Sequence, residues 1–303
     1  MVCIVSHNDL DGICSAAIVK RFLDKRGEKN TILITDYNNI VQTLGQAGQQ
    51  NLFFLDLYIS QGVDKAMKIM NRIALKNSIL IFDHHSWNVK ADIAMRRVCK
   101  KIVIDESKCT SEILHEHLSP GDPISEKLAR FARDVDFNVY ENDEAVKLND
   151  VVSAKARSEN FLMKIISMLS EGVFWENGFD HIRERFVKRK EIEKTKLLSR
   201  TKLFRINNHK VAIGFSSDIL STADAGRFLL DQTGAEVSLI FYKGKVAFRR
   251  SDLSSIDVSR IAGKFEGGGH PFASGAVLKK TMDYHVFKNF RETLVDRLED
   301  VIR

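Results

Sequence analysis

Short apolar runs recur along the first third of the chain, and segments with helical spacing separate them. The apolar runs are Val2–Val5, Thr31–Thr35, Leu52–Leu55, Ile79–Phe82 and Ile102–Ile104. Helical spacing of apolar positions is found in Ile13–Leu23, Val63–Leu75 and Ser111–Leu118. Continuously apolar strands that alternate with helices are typical of a parallel sheet covered on both faces. We therefore predict a doubly wound α/β fold with a parallel sheet for residues 1 to about 118.

The pattern changes twice more along the chain. Residues 124–200 have a mostly helical spacing that ends in the highly charged stretch Lys188–Arg200. We interpret this stretch as an exposed helix that links two domains, with a phosphate-attracting surface as the alternative. Beyond it, the sequence predicts the strands Lys210–Phe215, Val237–Tyr242, Lys245–Phe248 and Ala276–Leu278 and the helices Thr222–Thr233, Val258–Lys264 and Tyr284–Ile302. Lys243 and Gly244 suit a tight hairpin turn, so we expect a smaller mixed α+β domain.

The length of 303 residues is compatible with two domains. We expect an N-terminal domain at residues 1–175, a linker helix at 176–201 and a C-terminal domain at 202–303. The composition, with 44% hydrophobic and 28% charged residues, is that of a globular protein. The net charge of +6 favours an anionic partner, although a slightly basic solvated surface explains it equally well.

The cysteines and the first residues of the chain give an indication of the cellular compartment. The four cysteines form no Cys-x-x-Cys pair, so they indicate neither a zinc ribbon nor a disulfide framework. The first residues lack the basic and apolar regions of a signal peptide. No apolar run reaches the roughly 18–20 residues that span a bilayer. These features predict a soluble cytoplasmic protein that binds no membrane.

The most informative motif follows the first predicted strand. His7, Asp9 and Asp11 alternate along the chain, so an extended backbone would point all three side chains the same way. Gly12 then allows a sharp turn into the next helix. The carboxyl ends of parallel strands open onto the ligand crevice, and two carboxylates with an imidazole suit Mn²⁺, Mg²⁺, Fe²⁺ or Zn²⁺. The alternative is that the acids only cap the helix.

Two further strands end in residues that bind metals. Asp56 comes directly after Leu52–Leu55, and Asp83, His84 and His85 come at the end of Ile79–Phe82. Each could be an ordinary buried polar group, but three such strand ends at one sheet edge favour a metal site. A fourth acid after Leu128–Ala132 would complete it. We favour Asp134 for this position, with Asp136 as the rival.

A second motif lies near the C-terminus. Gly267, Gly268 and Gly269 precede His270, and Arg250 and Ser251 follow a predicted strand. Consecutive glycines can present backbone N–H groups to an anion, and Arg is suited to bidentate contact with phosphate. A flexible loop is the alternative for the glycine run alone.

The order of these motifs resembles the DHH phosphoesterase superfamily. His-x-Asp-x-Asp-Gly is followed by an Asp, by Asp-His-His and by an Asp at a helix end. The later motifs resemble the associated C-terminal substrate domain, and they are Arg250-Ser251, Gly267–His270 and Ala273-Ser274-Gly275. The resemblance covers nearly the whole chain and implies an N-terminal catalytic domain that binds two divalent cations. These are usually Mn²⁺, with Mg²⁺ or Co²⁺ as alternatives.

The resemblance also implies a role for each motif residue. His7 and Asp9 would hold the first cation, and Asp11, His84 and Asp134 the second. Asp56 would bridge both cations, and His85 would touch the scissile phosphate. Asp83 would sit behind the ligands and orient a histidine. In the C-terminal domain, the substrate would be bound by Arg250, Ser251, Gly267, Gly268, Gly269 and His270.

Within this superfamily, a compact two-domain chain resembles the oligoribonuclease-like nanoRNases. These degrade very short RNAs and often dephosphorylate 3′-phosphoadenosine 5′-phosphate. The alternatives are a phosphodiesterase of cyclic or linear dinucleotides and a non-enzymatic scaffold associated with nucleic acid. The sequence leaves the oligomeric state open, with a homodimer among the expectations. Two positions depart from the relatives: Glu266 stands where many carry a first of four glycines, and Ser274 where alanine is common.

Overall fold

The structure is a computed structural model that describes residues 1–59, 62–87, 89–278, 283–290, 294 and 298–302. The chain divides into two compact units, Met1–Phe186 and Val187–Arg303. The domain boundaries expected at residues 175 and 201 stay a prediction. No helix in these described ranges is long and apolar enough to cross a membrane.

Unit 1 contains a parallel sheet of five strands in the order β2-β1-β3-β4-β5. The strands are β1 (Val2–His7), β2 (Asn30–Thr35), β3 (Asn51–Leu55), β4 (Ile79–Asp83) and β5 (Lys101–Ile104). Each of the five predicted apolar runs lies in one of them. The strand order reverses between β1 and β3, as in doubly wound folds, which confirms the predicted fold class.

Helices cover both faces of this sheet. They are α1 (Leu10–Lys25), α2 (Ile40–Gln46), α3 (Val63–Ala74), α4 (Val89–Arg96), α5 (Thr110–Leu118), α6 (Pro123–Asp136), α7 (Asp143–Ala154) and α8 (Glu159–Ser170). Helix α9 (Phe179–Arg200) begins in unit 1 and ends in unit 2. Val2 and Ile4 pack in the core beneath α1, while Cys3 and Val5 pack in the core beneath α2 and α3. Because successive residues of a strand face opposite sides, a sheet covered twice needs apolar residues at every position.

Unit 2 contains a mixed sheet of six strands in the order β10-β11-β9-β8-β7-β6. Its elements are β6 (Lys202–Ile206), β7 (His209–Phe215), α10 (Thr222–Thr233), β8 (Val237–Tyr242), β9 (Lys245–Arg250), α11 (Val258–Gly263), β10 (Gly268–Gly269), β11 (Ala273–Val277) and α12 (Tyr284–Phe290). Only β7 and β8 pair in parallel, and the other neighbours are antiparallel. The expected mixed α+β fold is confirmed.

Some elements differ from the sequence-based expectation. The last strand begins at Ala273 rather than Ala276, because it pairs with β9 along its whole length. Strand β6 is absent from the predicted strands, and three of its five residues, Lys202, Leu203 and Arg205, are exposed. It joins β7 through Asn207 and Asn208, both with positive φ, as a tight hairpin requires. The predicted helix Tyr284–Ile302 is helical at Tyr284–Phe290, and residues 291–293 and 295–297 lie outside the described part.

Candidate metal centre

The ends of three adjacent strands bring the predicted residues of unit 1 together. His7 is the last residue of β1, Asp56 follows β3, and Asp83 is the last residue of β4, with His84 and His85 behind it. Since β1, β3 and β4 are neighbours in the sheet, these positions meet at its carboxyl edge. This edge lies beside the point where the strand order reverses, which is where open α/β sheets bind ligands.

Two groups of side chains have the geometry of a cation site among the residues that the structure describes. One group is His7, Asp9 and Asp56, and the other is Asp56, His84 and His85. In each group, one ligand atom per residue lies within 4.8 Å of the others. Asp56 belongs to both groups. A carboxylate shared in this way can contact two cations at once.

Asp56 combines strain with an unsatisfied oxygen. Its φ of 55° is in the left-handed region, and its side chain is 1% exposed. Oδ1 accepts a hydrogen bond from the hydroxyl of Thr110 at 3.1 Å. Oδ2 has no hydrogen-bond partner among the described residues. A buried carboxylate oxygen without a donor is unfavourable, and a cation would satisfy it.

His7 and Asp9 lie on the side of Asp56 where its Oδ2 atom points. His7 Nδ1 lies 2.8 Å from Asp9 Oδ2 and 3.6 Å from Asp56 Oδ2. This nitrogen makes no well-aligned hydrogen bond within the described structure. Asp9 also caps α1, because its Oδ1 accepts the N–H of Gly12 at 3.0 Å. The capping interpretation therefore holds for one oxygen and leaves the other beside His7.

Gly12 permits this close approach of helix and strand end. A Cβ atom at this position would lie 2.3 Å from the carbonyl oxygen of His7. Any side chain would therefore push α1 away from the ligand residues.

Asp11 is buried but lies in neither of the two groups found among the described residues. Its carboxylate accepts the backbone N–H groups of Thr110 at 2.7 Å and Ser111 at 2.9 Å, at the start of α5. Burial raises its pKa well above the ordinary range, and the charges of Asp56 and Asp136 raise it further. Each carboxylate oxygen keeps a second lone pair that a cation could use.

Asp136, rather than Asp134, faces the cluster. Asp136 Oδ2 lies 3.6 Å from Nε2 of His84. Asp134 Oδ1 accepts the N–H groups of Glu141 and Asn142, in the segment that leads to α7. Both acids lie in the last turn of α6, and residues two apart on a helix point about 200° from each other. Of the two rivals, Asp136 is therefore the one beside His84, and we take it as the candidate ligand; which of the two binds a cation stays a prediction.

His85 is held by hydrogen bonds on both ring nitrogens. Nδ1 lies 2.8 Å from Asp83 Oδ1, and Nε2 lies 2.9 Å from the hydroxyl of Tyr37. Asp83 is fully buried, and its other oxygen accepts the indole N–H of Trp87. Asp83 thus positions the ring of His85, and Trp87 in turn holds Asp83.

The carboxylates of the cluster raise the pKa values of its histidines. Burial disfavours the charged imidazolium of His84, but contact with Asp56 and the charge of Asp136 outweigh it and raise its pKa to about 10. In the same way, the pKa of His7 is raised well above its ordinary value by Asp9 and Asp56, despite burial. Burial raises the pKa of Asp136 to about 6, with Asp56 and Asp9 adding to the effect and His84 opposing it. Such concentrated negative charge favours divalent cations.

Three residues of this centre were not found from the sequence. They are Tyr37, Trp87 and Thr110. Tyr37 follows the end of β2, so the strand-end argument that found His7 and Asp56 could have been extended to it. Thr110 begins α5 and reaches Asp56 only through the packing of that helix, which local sequence does not indicate.

Two family models match the chain. Residues 1–135 match the model of the DHH family, N-terminal domain, and residues 208–303 match that of the DHHA1 domain. The chain therefore contains a DHH-family N-terminal domain and a DHHA1 domain. The resemblance of its motifs to that family is thereby confirmed.

Individual relatives of this DHH-family chain include an oligoribonuclease. Oligoribonuclease NrnB of Bacillus subtilis (strain 168) is 24% identical over 306 residues, which cover 94% of this chain and 75% of NrnB. Among solved structures, RecJ of Thermus thermophilus in complex with Mn²⁺ has a TM-score of 0.65 at 16% identity, and the match spans this whole chain but 53% of RecJ. The pGpG-specific phosphodiesterase PggH of Vibrio cholerae has a TM-score of 0.59 at 13% identity, with 99% and 100% of the two chains covered. These structures share the fold.

The glycine motif of the DHHA1 domain forms part of a strand pair. Gly268 and Gly269 pair with β11, and the N–H groups of Gly267 and His270 donate to Ala262 and Ala273 at 3.0 and 2.9 Å. A Cβ atom on Gly267 would lie 2.2 Å from the carbonyl oxygen of Gly275. The glycines therefore allow close pairing of two strands, and anion binding by this motif stays a prediction.

The remaining predicted residues of unit 2 lie around this hairpin. The ring of His270 stacks on Phe272, with centroids 5.4 Å apart and an angle of 8° between the rings. Arg250 donates its backbone N–H to Phe272 at 3.2 Å, which places it beside the hairpin. Ser251 donates its N–H to the carbonyl of Glu236 at 2.9 Å.

Both departures from the relatives have a structural consequence. Glu266 has a φ of 58°, a conformation that glycine adopts without strain. The hydroxyl of Ser274 donates to the carbonyl of His270 at 2.7 Å and braces the turn.

Proposed function

We propose that this chain is a phosphoesterase dependent on two divalent cations that hydrolyses short oligoribonucleotides. The observation that carries the proposal is the pair of ligand groups sharing Asp56 at the carboxyl edge of the sheet. The relative NrnB, an oligoribonuclease, supports the substrate class. The DHH family match supports the chemistry.

The ligand residues divide into two sets around Asp56. His7 and Asp9 would hold one cation, and His84 and Asp136 the other, with Asp11 contributing to the second. Asp56 would contact both, because its unsatisfied Oδ2 lies near His7 and its Oδ1 lies 3.4 Å from His84 Nε2. Divalent cations bound there would lower the pKa of water and stabilise negative charge on the phosphoryl oxygens. Mn²⁺ is our choice of cation, since carboxylate ligands suit it and RecJ of Thermus thermophilus, which shares the fold, was solved in complex with it.

The chain's own residues would position the phosphate. His85 would contact the scissile phosphate through Nε2, because Asp83 holds its Nδ1. In unit 2, His270, Arg250 and Ser251 would bind the rest of the nucleotide. Binding energy from such remote contacts contributes to positioning the reacting phosphate.

A substrate panel tests this function. The protein, stripped with a chelator and reloaded with Mn²⁺, is given an RNA dinucleotide, an RNA pentanucleotide, a long single strand and cyclic di-AMP. We expect the chelated protein to be inactive and the shortest RNA to be hydrolysed fastest. Processive cleavage of the long strand would contradict the nanoRNase assignment. An intact protein that binds no Mn²⁺ would favour a scaffold instead.

Hydrolysis of dinucleotides is the second candidate function. Its support is the likeness to the pGpG-specific phosphodiesterase, which matches this chain over the full length of both proteins. The same panel separates the two, with pGpG added beside the RNA dinucleotide. A strong preference for cyclic di-AMP or pGpG over other short RNAs would favour this candidate.

A further inference from the structure

Tyr37 contacts one histidine from each of the two ligand groups, although it belongs to none of the sequence motifs. Its ring centroid lies 4.6 Å from that of His7. Its hydroxyl lies 2.9 Å from Nε2 of His85. The residue is half-buried at the end of β2, the strand beside β1. A group that binds at Nε2 of His85 would therefore lie close to the hydroxyl of Tyr37.

Both ring nitrogens of His85 have a hydrogen-bonding partner. Nδ1 lies 2.8 Å from Oδ1 of Asp83, and Nε2 lies 2.9 Å from the hydroxyl of Tyr37. A carboxylate only accepts, whereas a phenol hydroxyl can donate as well as accept. The group beside the phosphate-facing nitrogen of His85 is therefore one that can donate a hydrogen bond.

We propose that Tyr37 is a further phosphate-binding residue of this centre. Its hydroxyl turns from Nε2 of His85 and donates to a non-bridging oxygen of the scissile phosphate. The distance supports this, because the hydroxyl lies 2.9 Å from Nε2 of His85, so a phosphate oxygen bound at that nitrogen would lie beside the hydroxyl. A positioned donor to a phosphoryl oxygen stabilises the transition state. The inference rests on the proposed function for the nature of the ligand.

Tyr58 provides a matched control. Its ring centroid lies 5.0 Å from that of Tyr37 and 5.1 Å from that of His85, and it is also half-buried. Within the described part of the chain, its hydroxyl makes no hydrogen bond. Tyr58→Phe therefore removes the same atom from a neighbouring ring without removing a donor to His85.

Phosphate binding tests the inference without turnover. Inorganic phosphate is titrated by calorimetry into the Mn²⁺-loaded wild type, Tyr37→Phe and Tyr58→Phe proteins. We expect Tyr37→Phe to bind phosphate roughly tenfold to a hundredfold more weakly and Tyr58→Phe to bind like the wild type. Mn²⁺ content, measured by emission spectroscopy, should be the same in all three. Equal phosphate affinity in Tyr37→Phe, or loss of its Mn²⁺, would overturn the inference.

A substituted substrate tests the contact atom by atom. The two phosphorothioate diastereomers of an RNA dinucleotide each replace one non-bridging oxygen with sulfur, a weaker acceptor. In one diastereomer, the slowing caused by sulfur should be smaller in Tyr37→Phe than in the wild type, because the donor is already absent. Unchanged slowing in both diastereomers would count against Tyr37. If the wild type hydrolyses no dinucleotide, the proposed function fails while the phosphate titration still decides on Tyr37.

Discussion

At the scale of single residues, Asp56 is the most constrained position of the proposed centre. It holds a left-handed backbone, it is buried, and one of its oxygens has no hydrogen-bond donor within the described structure. Strain of this kind costs about 1–3 kcal/mol and persists where surrounding structure requires it. These features are explained if a cation completes the site.

Asp56→Asn should abolish activity while preserving the fold. Asn adopts the left-handed conformation as readily as Asp, so the backbone is kept. The lost charge should remove cation binding and lower kcat/KM by roughly a thousandfold or more, about 4 kcal/mol of transition-state stabilisation. Activity and Mn²⁺ content are measured beside Asp64→Asn, a control on the exposed start of α3. Near-normal turnover in Asp56→Asn would refute the bridging role.

Cation binding should release protons, because metals bind neutral imidazole. The pKa of His84 is raised to about 10 in the cation-free protein, so this residue is protonated at neutral pH. Mn²⁺ binding near neutral pH should therefore release at least one proton, and the affinity should rise with pH up to about 10. Calorimetry in buffers of different ionisation enthalpy measures the release. A binding enthalpy independent of the buffer would contradict the raised pKa.

At the scale of elements, two helices carry acidic residues of the proposed centre, α1 at its start and α6 at its end. Asp9 and Asp11 lie at the start of α1, and Asp136 lies at the end of α6. The other ends of the two helices are joined by Asp122, the N-cap of α6. Its carboxylate accepts from Arg21 at 2.8 and 3.0 Å and from Lys25 at 2.6 Å. This contact fixes the two helices relative to each other.

Asp122→Ala should destabilise unit 1 by about 2–4 kcal/mol, through loss of the cap and of a partly buried ion pair. Asp122→Asn keeps a capping oxygen and should lose less. Arg21 and Lys25 hold the pKa of Asp122 well below its usual range. The charge therefore stabilises at neutral pH, and this contribution is lost as the pH falls below about 4.

Urea unfolding at neutral and at acidic pH measures this effect. The wild type and Asp122→Asn should differ at neutral pH and converge at acidic pH. A difference that persists unchanged in acid would show that the charge of Asp122 is not its source.

At the scale of the whole molecule, the candidate cation ligands and the proposed substrate-binding residues lie in separate units. Unit 1 contains the candidate cation ligands, and unit 2 contains His270, Arg250 and Ser251. If this division holds, substitutions in unit 2 should affect substrate affinity and leave the metal content unchanged.

His270→Ala should raise the KM for an RNA dinucleotide roughly tenfold, since one contact with the substrate is lost. Hydrolysis of a small dye ester of thymidine monophosphate should change much less, and Mn²⁺ content should stay constant. His285→Ala removes an exposed imidazole of the same unit and serves as the control. An equal effect of His270→Ala on both substrates would argue against a role in binding the remote part of the nucleotide.

The sequence by itself determined where the strands of unit 1 end and which residues follow them. Apolar runs are local, and a parallel sheet needs them at every buried position, so His7, Asp56 and His84 could be placed at one edge before any coordinates. Residue order and motif spacing also identified the family, which residues 1–135 and 208–303 match.

Only the tertiary structure decided matters that depend on direction and contact. The orientation of α6 places Asp136 beside His84, since a helix turns Asp134 and Asp136 to different sides. The pairing of β10 with β11 fills the space beside the glycine run, where a Cβ atom on Gly267 would clash. Tyr37 meets His85 because β2 packs beside β1. Such contacts join residues far apart in the chain, and no local pattern records them.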